Sequence, residues 1–449
     1  MNSVVAFVGA ILPSGEIADI VVRDGLVESL SPGAAPADAE VVDASGLRVL
    51  PGLVDLHTHL REPGFEASET VLSGTQAAAA GGFTTVFAMA NTDPVADNAG
   101  VVEEVWQRGV DAGYATVRPI GAVTRGLEGE TLSDIAGMAN SRAQVRVFSD
   151  DGKCVFDPLV MRRALEYVST FDGVVAQHAQ EPRLTVGSQM HEGAVSARLG
   201  LTGWPAVAEE SIIARDVLLA EYTGSRLHVC HLSTERSVEI IRAAKARGIR
   251  VTAEVTPHHL LLTDESAQGY DARFKVNPPL RSESDVLAVR AGLADGTIDI
   301  VATDHAPHPS ESKECEWGDA AFGMVGLETA LSVVQLTMVE SGLMTWNDVA
   351  RTMSTTPAQI GGISDVAGQI AVGRIADLTF IVENARRQFS VASLTGKSSN
   401  SPYVGRELPG RIVHTMRHGY FTVRNGVVVD TEVVAASVRN HGRKAQHNG

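Results

Sequence analysis

Short apolar runs alternate with helical stretches through the middle of this chain. A buried parallel strand appears in a sequence as such a run, and a helix connects it to the next strand, so the alternation predicts repeated βα units. Eight strands favour a closed (β/α)8 barrel, with a doubly wound open sheet as the alternative. The predicted strands are Val49–Leu56, Thr84–Met89, Thr116–Gly121, Val145–Phe148, Val174–Gln177, Leu227–Cys230, Val251–Val255 and Ile298–Ala302.

Helix boundary residues occur between these strands. Ser68–Ala80 ends at a pair of glycines, Pro158–Thr170 begins with proline, and Thr234–Arg247 is followed by Gly248. Proline in the first turn and glycine just past the last turn are typical of helix ends. The connections between the predicted strands are therefore expected to be helical.

Both ends of the chain carry strand-like runs of their own. Asp24-Gly25 and Asn425-Gly426 fit tight hairpin turns between two such runs. The shared β character predicts one small β-sandwich domain built from residues 1–50 and 370–449, with the barrel in residues 51–369. The predicted terminal strands are Val4–Leu12, Ile17–Arg23, Leu26–Leu30, Ala376–Val382, Arg411–Met416, Tyr420–Arg424 and Val427–Val429.

Histidines and carboxylates follow the predicted strands at one end of the barrel. His57 and His59 close the first strand at positions i and i+2, so they point to the same side, and Arg61 continues the parity. The carboxyl ends of barrel strands form a single rim, where active sites lie. The polar residues after the strands are His57, His59, Arg61, Asn91, Asp150, Asp151, His178, His231, His258, His259, Asn277, Asp304, His305 and His308.

Composition narrows the class of protein and its partners. The 449 residues are 44% hydrophobic and 20% charged, which suits a soluble protein with a large core. The formal net charge of -17 speaks against nucleic acid or an anionic membrane as a partner, because both bind basic faces. No apolar run reaches the roughly 18 residues of a membrane span, and no signal-peptide pattern begins the chain, so a cytoplasmic location is predicted. Three scattered cysteines predict no disulfide framework.

The donors at the rim exceed what one catalytic zinc ion needs, since such an ion takes three protein ligands and a water. Four imidazoles and two carboxylates fit two divalent ions that share a bridging carboxylate. Metal binding lowers the pKa of water to about 7, so a hydroxide between two ions is a strong nucleophile near neutral pH. A neighbouring carboxylate can carry the proton to a leaving nitrogen. The predicted reaction class is metal-assisted hydrolysis of an ester, an amide or a phosphate.

The chain carries seven segments in a fixed order: DLHTHLREPG, GGFTTVFAMANTDP, FSDDG, HVCHLST, EVTPHHL, KVNPPLR and ATDHAPH. Together they resemble a class I dihydroorotase of the amidohydrolase superfamily, along essentially the whole chain. The His-x-His and ATDH pieces occur in many amidohydrolases, whereas HLREPG, KVNPPLR and ATDHAPH are more specific. The resemblance implies a distorted barrel with a flanking β-sandwich. It also implies reversible cyclisation of N-carbamoyl-L-aspartate to L-dihydroorotate in pyrimidine (UMP) biosynthesis.

The resemblance further implies a role for each metal ligand. His57, His59 and Asp304 correspond to the ligands of a first ion, His178 and His231 to those of a second, and Asp151 to the bridge. Zinc is the expected metal at both positions, and Asp304 is the expected acid and base of the attack on the ring amide. Lys153, as a carbamate, is an alternative bridge, and Asp150 is expected to be structural.

Substrate contacts follow from the same resemblance. Arg61, Asn91 and His308 correspond to a clamp for the substrate carboxylate, a role that suits the planar fork of arginine in an acidic protein. The full expected set of substrate-binding residues is His59, Arg61, Asn91, Asn277, His308, Phe322 and Gly323. The Ser-, Glu- and Lys-rich segment Ser310–Trp317 is predicted to be a mobile lid, with an ordinary surface loop as the alternative.

Two other functions stay open at this point. One is a different cyclic amidohydrolase, such as a dihydropyrimidinase, hydantoinase or allantoinase, whose substrates mostly lack the ring carboxylate. The other is an inactive barrel that serves as a scaffold for a transcarbamoylase, although all six metal-ligand positions are filled here. A homo-oligomer, specifically a dimer, is expected, and aspartate transcarbamoylase is a candidate partner.

Overall fold

The computed structural model describes residues 4–447, and the side chains of residues 4–439. The chain forms an eight-stranded parallel barrel beside a sheet that is built from both of its ends. The strands are β1 (Val4–Ile11), β2 (Ile17–Arg23), β3 (Leu26–Leu30), β4 (Glu40–Asp43), β5 (Arg48–Pro51), β6 (Leu53–Thr58), β7 (Phe83–Ala88), β8 (Thr116–Pro119), β9 (Val147–Phe148), β10 (Val174–Gln177), β11 (Met190–His191), β12 (Gly203–Trp204), β13 (Arg226–Val229), β14 (Val251–Val255), β15 (Ile300–Val301), β16 (Leu378–Gln388), β17 (Glu407–Arg417), β18 (Tyr420–Arg424) and β19 (Val427–Val428).

The helices lie mostly between barrel strands. They are α1 (Val71–Ala80), α2 (Ala99–Ala112), α3 (Ile135–Asn140), α4 (Pro158–Val168), α5 (Ala194–Leu199), α6 (Val207–Thr223), α7 (Glu235–Ala246), α8 (Pro257–Leu261), α9 (Glu283–Asp295), α10 (Ala330–Val334), α11 (Trp346–Ala350), α12 (Thr356–Ile360) and α13 (Thr431–His447). Turns of π-helix extend α10 over Gln335–Val339 and join α11 to α12 over Arg351–Thr355. Within residues 4–447, no helix is both long and apolar enough to cross a membrane.

The barrel closes through two ladders and two single bridges. Strands β6, β7 and β8 pair in parallel, as do β9, β10, β13, β14 and β15. A bridge between Gly121 and Phe148 joins β8 to β9, and a bridge between Thr58 and His305 joins the ends of β6 and β15. All eight predicted barrel strands are present, and the predicted fold class is confirmed.

A buried aspartate reinforces the closing seam. The carboxylate of Asp55 accepts hydrogen bonds from the backbone N–H of Thr303 at 2.8 Å and from its hydroxyl at 2.6 Å, and also from the hydroxyl of Thr58. Burial raises the pKa of Asp55 to about 6, although these hydrogen bonds oppose the shift. The seam therefore holds the His57–His59 segment against the segment that carries Asp304.

The two ends of the chain meet in one nine-stranded sheet. The strand order is β19-β18-β17-β16-β5-β1-β2-β3, and β4 pairs with β1. Strand β5 pairs antiparallel with β16, where Arg48 and Glu383 also form an ion pair at 2.7 Å. The apolar face of the sheet buries Phe7 and Phe380, whose rings stack with centroids 4.3 Å apart. The prediction that both termini build a common β unit is confirmed.

The predicted strand Val49–Leu56 is wrong as a single element. The chain leaves the terminal sheet at Pro51 and enters the barrel at Leu53, and Gly52 separates the two strands. A Cβ atom on Gly52 would lie 2.2 Å from the hydroxyl oxygen of Thr84, so only glycine permits this close approach. The division into residues 1–50 with 370–449 and residues 51–369 stays a prediction, and residues 1–3 and 448–449 lie outside the described part of the chain.

Replacement of Phe380 by alanine should destabilise the terminal sheet without disturbing the barrel rim. Removal of a fully buried phenylalanine costs about 3–5 kcal/mol, and Phe380 is 0% exposed. Urea unfolding should show this loss, while the metal content of the folded protein should match that of the wild type. Val427→Ala, at a side chain that is 67% exposed, is the control. A loss below about 1 kcal/mol for Phe380→Ala would contradict the importance of this core.

Candidate metal centre

Six side chains from five barrel strands converge at the carboxyl-terminal rim. His57 lies in β6 and His59 just after it, and the other four side chains follow β9, β10, β13 and β15. All six are buried, and none is more than 5% exposed. The residues of this cluster are His57, His59, Asp151, His178, His231 and Asp304. The sequence predicted each of them as a metal ligand.

The first half of the cluster surrounds one side of Asp151. The Nε2 atoms of His57 and His59 each lie 3.3 Å from a carboxylate oxygen of Asp151. The Oδ1 atom of Asp304 lies 3.1 Å from His59 Nε2 and 3.4 Å from His57 Nε2. Two imidazoles and two carboxylates thus face a common point.

The second half of the cluster contacts the same carboxylate. His178 Nδ1 and His231 Nε2 are each 3.3 Å from Asp151 Oδ1, and these two ring nitrogens are 2.9 Å apart. Possible ligand groups of three form around His57, His59 and Asp151 and around Asp151, His178 and His231. Asp151 belongs to both groups, which is the geometry that a bridging ligand requires.

Hydrogen bonds on the far side of three rings set their tautomers. His57 donates from Nδ1 to Glu254 at 2.6 Å, His59 donates from Nδ1 to the Asn91 side-chain oxygen at 2.9 Å, and His178 donates from Nε2 to the Gln180 oxygen at 2.8 Å. In its neutral form, each ring then has its lone pair on the nitrogen that faces Asp151. Such outer hydrogen bonds are typical of metal-ligating histidines.

The charges of the cluster also suit cations. Burial alone would raise the pKa of Asp151, but the charge of His57 and the contacts with His178 and His231 hold it well below its usual value. The same balance, with His57 and His59 as partners, lowers the pKa of Asp304 to about 2. Within residues 4–439, His57 Nε2 is a buried polar atom without a hydrogen-bond partner. Ionised carboxylates and lone pairs directed inward are compatible with a binuclear metal site.

Two neighbouring candidates lie outside the cluster. Asp150 accepts hydrogen bonds from the backbone N–H groups of Val123 at 2.7 Å and Thr124 at 3.0 Å, so its carboxylate fastens the loop after β8. Lys153 is exposed to solvent. This placement favours Asp151 over Lys153 as the bridging group.

The predicted carboxylate clamp lies beside the cluster. Arg61 donates from Nε to the carbonyl oxygen of Pro307 at 3.2 Å, and its Nη2 is 3.5 Å from His308 Nε2. Asn91 contacts His59 through its oxygen, which leaves its Nδ2 group to donate elsewhere. Burial lowers the pKa of Arg61 only to about 10, so the guanidinium is charged at neutral pH. The strand-parity argument for Arg61 is wrong, because β6 ends at Thr58 and the backbone turns at Arg61 with φ of +62°.

The residues of the expected ring pocket contact His308 and the neighbours of His178. Asn277 donates from Nδ2 to the Gln180 side-chain oxygen at 3.1 Å, which places it next to His178. His308 donates from Nε2 to the carbonyl oxygen of Phe322 at 2.8 Å. A Cβ atom on Gly323 would lie 2.8 Å from His308 Nε2, so the backbone here passes close to the clamp.

Sequence reasoning missed Glu254 and Gln180. The carboxylate of Glu254 accepts hydrogen bonds from His57, from His228 Nε2 at 3.0 Å and from the backbone N–H of His231 at 3.2 Å. A single carboxylate inside the otherwise uncharged strand Val251–Val255 was the available signal for Glu254. Gln180 occupies a loop without periodicity, where no pattern distinguishes it.

Three residues of this rim have backbone angles in the left-handed region. Arg61, His231 and Asp304 have φ angles of +62°, +31° and +45°, a region that residues other than glycine seldom adopt. Such conformations occur where the surrounding structure over-determines them, often at active sites. Three strained residues at one rim are consistent with a functional centre.

Comparison with known proteins identifies the relatives of this chain. A family model described as Dihydro-orotase-like matches residues 46–237. The chain is 66% identical over 423 residues to a dihydroorotase of Leifsonia xyli subsp. xyli, an alignment that covers 94% of this chain and 97% of the relative. It is 52% identical over 415 residues to a dihydroorotase of Mycobacterium tuberculosis, with coverage of 92% and 96%.

Solved structures share the architecture. The L-hydantoinase (dihydropyrimidinase) from Arthrobacter aurescens superposes with a TM-score of 0.84 at 25% identity, over 96% of this chain and 98% of that one. Dihydropyrimidinase from Brevibacillus agri gives a TM-score of 0.82 at 22% identity, over 95% and 96% of the two chains. The second likeness shows the fold alone.

Replacement of Glu254 by glutamine should weaken metal binding. The amide NH2 of glutamine donates hydrogen bonds, so one of the donors that now meet Glu254 would face another donor. Loss of an outer partner of a metal ligand typically lowers metal affinity about 10–100-fold. Competition against a chelator series, with metal counted per chain, measures the effect.

Glu221→Gln is the matched control, because Glu221 is an exposed carboxylate that pairs with Arg247 at the surface. It should bind metal as the wild type does. Equal metal affinity for Glu254→Gln and the control would show that Glu254 does not orient the ligands.

Proposed function

The chain belongs to the dihydroorotase family of the amidohydrolase superfamily, and we propose that the candidate metal centre and the Arg61 clamp carry out the reaction of that family. The chain is an enzyme, a cyclic amide hydrolase, and its reaction is the reversible cyclisation of N-carbamoyl-L-aspartate to L-dihydroorotate in pyrimidine biosynthesis. One observation carries the residue assignment: four imidazoles and two carboxylates converge beside a charged arginine.

The proposed ligands divide between two sites. His57, His59 and Asp304 would hold one divalent ion and His178 and His231 the other, with Asp151 as a ligand that both would share. When bound, the two ions supply Lewis acidity and bring the pKa of a coordinated water down to about 7. Zinc is the proposed metal, since nitrogen and carboxylate oxygen donors in a compact set suit it.

Asp304 is the proposed acid and base. In ring opening, its carboxylate takes the proton of the attacking water and delivers it to the ring nitrogen as the carbon–nitrogen bond breaks. In ring closure, it takes the proton from the attacking nitrogen and gives it to the hydroxyl that leaves the substrate carboxyl group as water.

The carboxylate of the substrate is proposed to bind between Arg61, Asn91 and His308. Arg61 supplies a charged fork, and Asn91 supplies the Nδ2 donor that its bond with His59 leaves over. The imidazole of His308 completes the clamp, and its Nε2 donates to the Phe322 carbonyl oxygen. His59, Asn277, Phe322 and Gly323 then contact the ring.

Further parts of the proposal concern assembly and location. We place the enzyme in the cytoplasm, as a homodimer, with aspartate transcarbamoylase as a candidate partner. Its small-molecule substrate fits the family, and no basic face for nucleic acid is expected at a net charge of -17.

Asp304→Asn should abolish turnover. Asparagine keeps the size of the side chain but accepts no proton, and loss of proton transfer lowers a rate by roughly 10²–10⁴-fold. Ring opening of dihydroorotate should be measured beside the metal content of the same sample. A metal-loaded variant that retains more than about a tenth of the wild-type rate would exclude the proton-transfer role.

Arg61→Met should separate substrates that have a carboxylate from those that lack one. A charge-assisted hydrogen bond contributes roughly 1.5–3 kcal/mol, so kcat/KM for dihydroorotate should fall at least about tenfold. Metal content should stay intact, because Arg61 is not among the proposed ligands. Dihydrouracil has no carboxylate, and its hydrolysis should change far less. Equal losses on both substrates would make Arg61 structural and favour a hydantoinase-like specificity.

A further inference from the structure

Two buried lysines fasten the wall of the proposed ring pocket. Lys313 and Lys275 are 6% and 2% exposed, and neither forms an ion pair in the part of the chain that the structure describes. Lysines are rarely buried without a partner carboxylate. Burial, with a contribution from Lys275, lowers the pKa of Lys313 to about 7. Stability alone gives no reason to keep two such groups together.

The ammonium group of Lys313 meets three backbone carbonyls. It donates to the oxygens of Ala321 at 2.7 Å, Gly323 at 2.8 Å and Lys275 at 3.2 Å. An ammonium group has three N–H donors, so these acceptors can satisfy all of them. Lys313 thereby links the Ser310–Trp317 segment to the segment that precedes Asn277.

Lys275 reaches in the opposite direction. Its Nζ donates to the carbonyl oxygens of Trp317 at 2.6 Å and Gly318 at 3.2 Å, and lies 4.6 Å from the centre of the Phe322 ring. Its own carbonyl oxygen also accepts the N–H of Gly323 at 2.9 Å. Each lysine therefore holds the backbone of the segment that carries the other, and we call this pair the lysine clasp.

The clasp contacts the proposed substrate site through Ala321–Gly323. The Phe322 carbonyl oxygen accepts from His308, and the Gly323 carbonyl oxygen also accepts from Asn400 Nδ2 at 3.2 Å. Asn400 in turn accepts the backbone N–H of His308 at 3.1 Å. A shift of this backbone would move both the ring wall and one member of the carboxylate clamp.

We propose that Lys275 and Lys313 are positioning residues for substrate binding, which hold Ala321–Gly323 and His308 in place before the substrate arrives. The inference rests on the proposed assignment of His308, Phe322 and Gly323 to the substrate. On this proposal the Ser310–Trp317 segment is a fixed wall, in place of the mobile lid that its composition predicts, because Lys313 and Trp317 are both buried.

Lys313→Met tests the clasp, since methionine fills a similar volume without donors. KM for dihydroorotate should rise roughly tenfold or more while kcat stays within about threefold, the signature of lost binding that is equal in ground and transition states. Metal content should not change. Lys313→Arg, which keeps donors, should recover part of the loss.

Limited proteolysis at Glu311, Glu314 and Glu316 reports on the segment itself. A glutamate-specific protease should cleave the Lys313→Met enzyme about tenfold faster than the wild type, because local opening becomes easier. Lys275→Met should give the same KM and proteolysis results as an independent variant. The double variant should lose little more than either single one, because the two lysines act as a unit.

Lys397→Met is the matched control. Lys397 is exposed and also donates to a backbone carbonyl, that of Glu66, so its loss should alter neither KM nor cleavage. Wild-type KM and wild-type cleavage in both Lys313→Met and Lys275→Met would overturn the clasp. So would a fall in kcat together with loss of metal.

The proposed function has a separate readout. If Arg61→Met loses dihydroorotate turnover while both lysine variants match the wild type, the clasp is wrong and the carboxylate clamp stands. If Arg61→Met loses turnover of dihydroorotate and dihydrouracil equally, the clamp is wrong, and faster proteolysis of the lysine variants would still support the clasp as the device that fixes the wall.

Discussion

The parallel direction of eight closed strands is the constraint on which the candidate metal centre depends. Because every strand ends at the same rim, side chains that are far apart in sequence arrive around one carboxylate, that of Asp151. The seam at Asp55 fixes the closure next to this point. A barrel open between β6 and β15 would separate His59 from Asp304 and leave the first ligand group incomplete.

Hydrogen bonds on the side away from Asp151 orient the proposed metal ligands. Glu254 holds His57 and the His231 backbone, Asn91 holds His59, and Gln180 holds His178. Gln180 also accepts a hydrogen bond from Asn277, and Asn91 is itself a proposed substrate-binding residue. The same side chains would therefore orient both the proposed metal ligands and the proposed substrate contacts. A shift of the proposed metal ligands would therefore also move the proposed substrate contacts through these hydrogen bonds.

Much of the fold could be predicted from the sequence, since buried strands produce apolar runs whatever their partners are. Val174–Gln177 and Val251–Val255 have the predicted bounds. The break between two strands at Gly52 could not be predicted from the apolar run, because it depends on a contact with Thr84, which lies in another strand. The residues at the rim were recognisable as histidines and carboxylates after strands, and their roles toward metal and substrate stay predictions. Lys313 carried no signal, because a lysine in a polar loop looks solvated until its carbonyl acceptors are known. Lys275 was visible only as the first residue of KVNPPLR, without a role of its own.

The terminal sheet has a consequence for synthesis on the ribosome. Strand β5 emerges early, yet its partner β16 comes much later, and 335 residues separate Arg48 from Glu383. During that interval β5 exposes an unpaired edge, and such edges invite association with other chains. The barrel can be completed before the sheet that adjoins it. Strand β5 is thus among the first strands to leave the ribosome and among the last to gain all its neighbours.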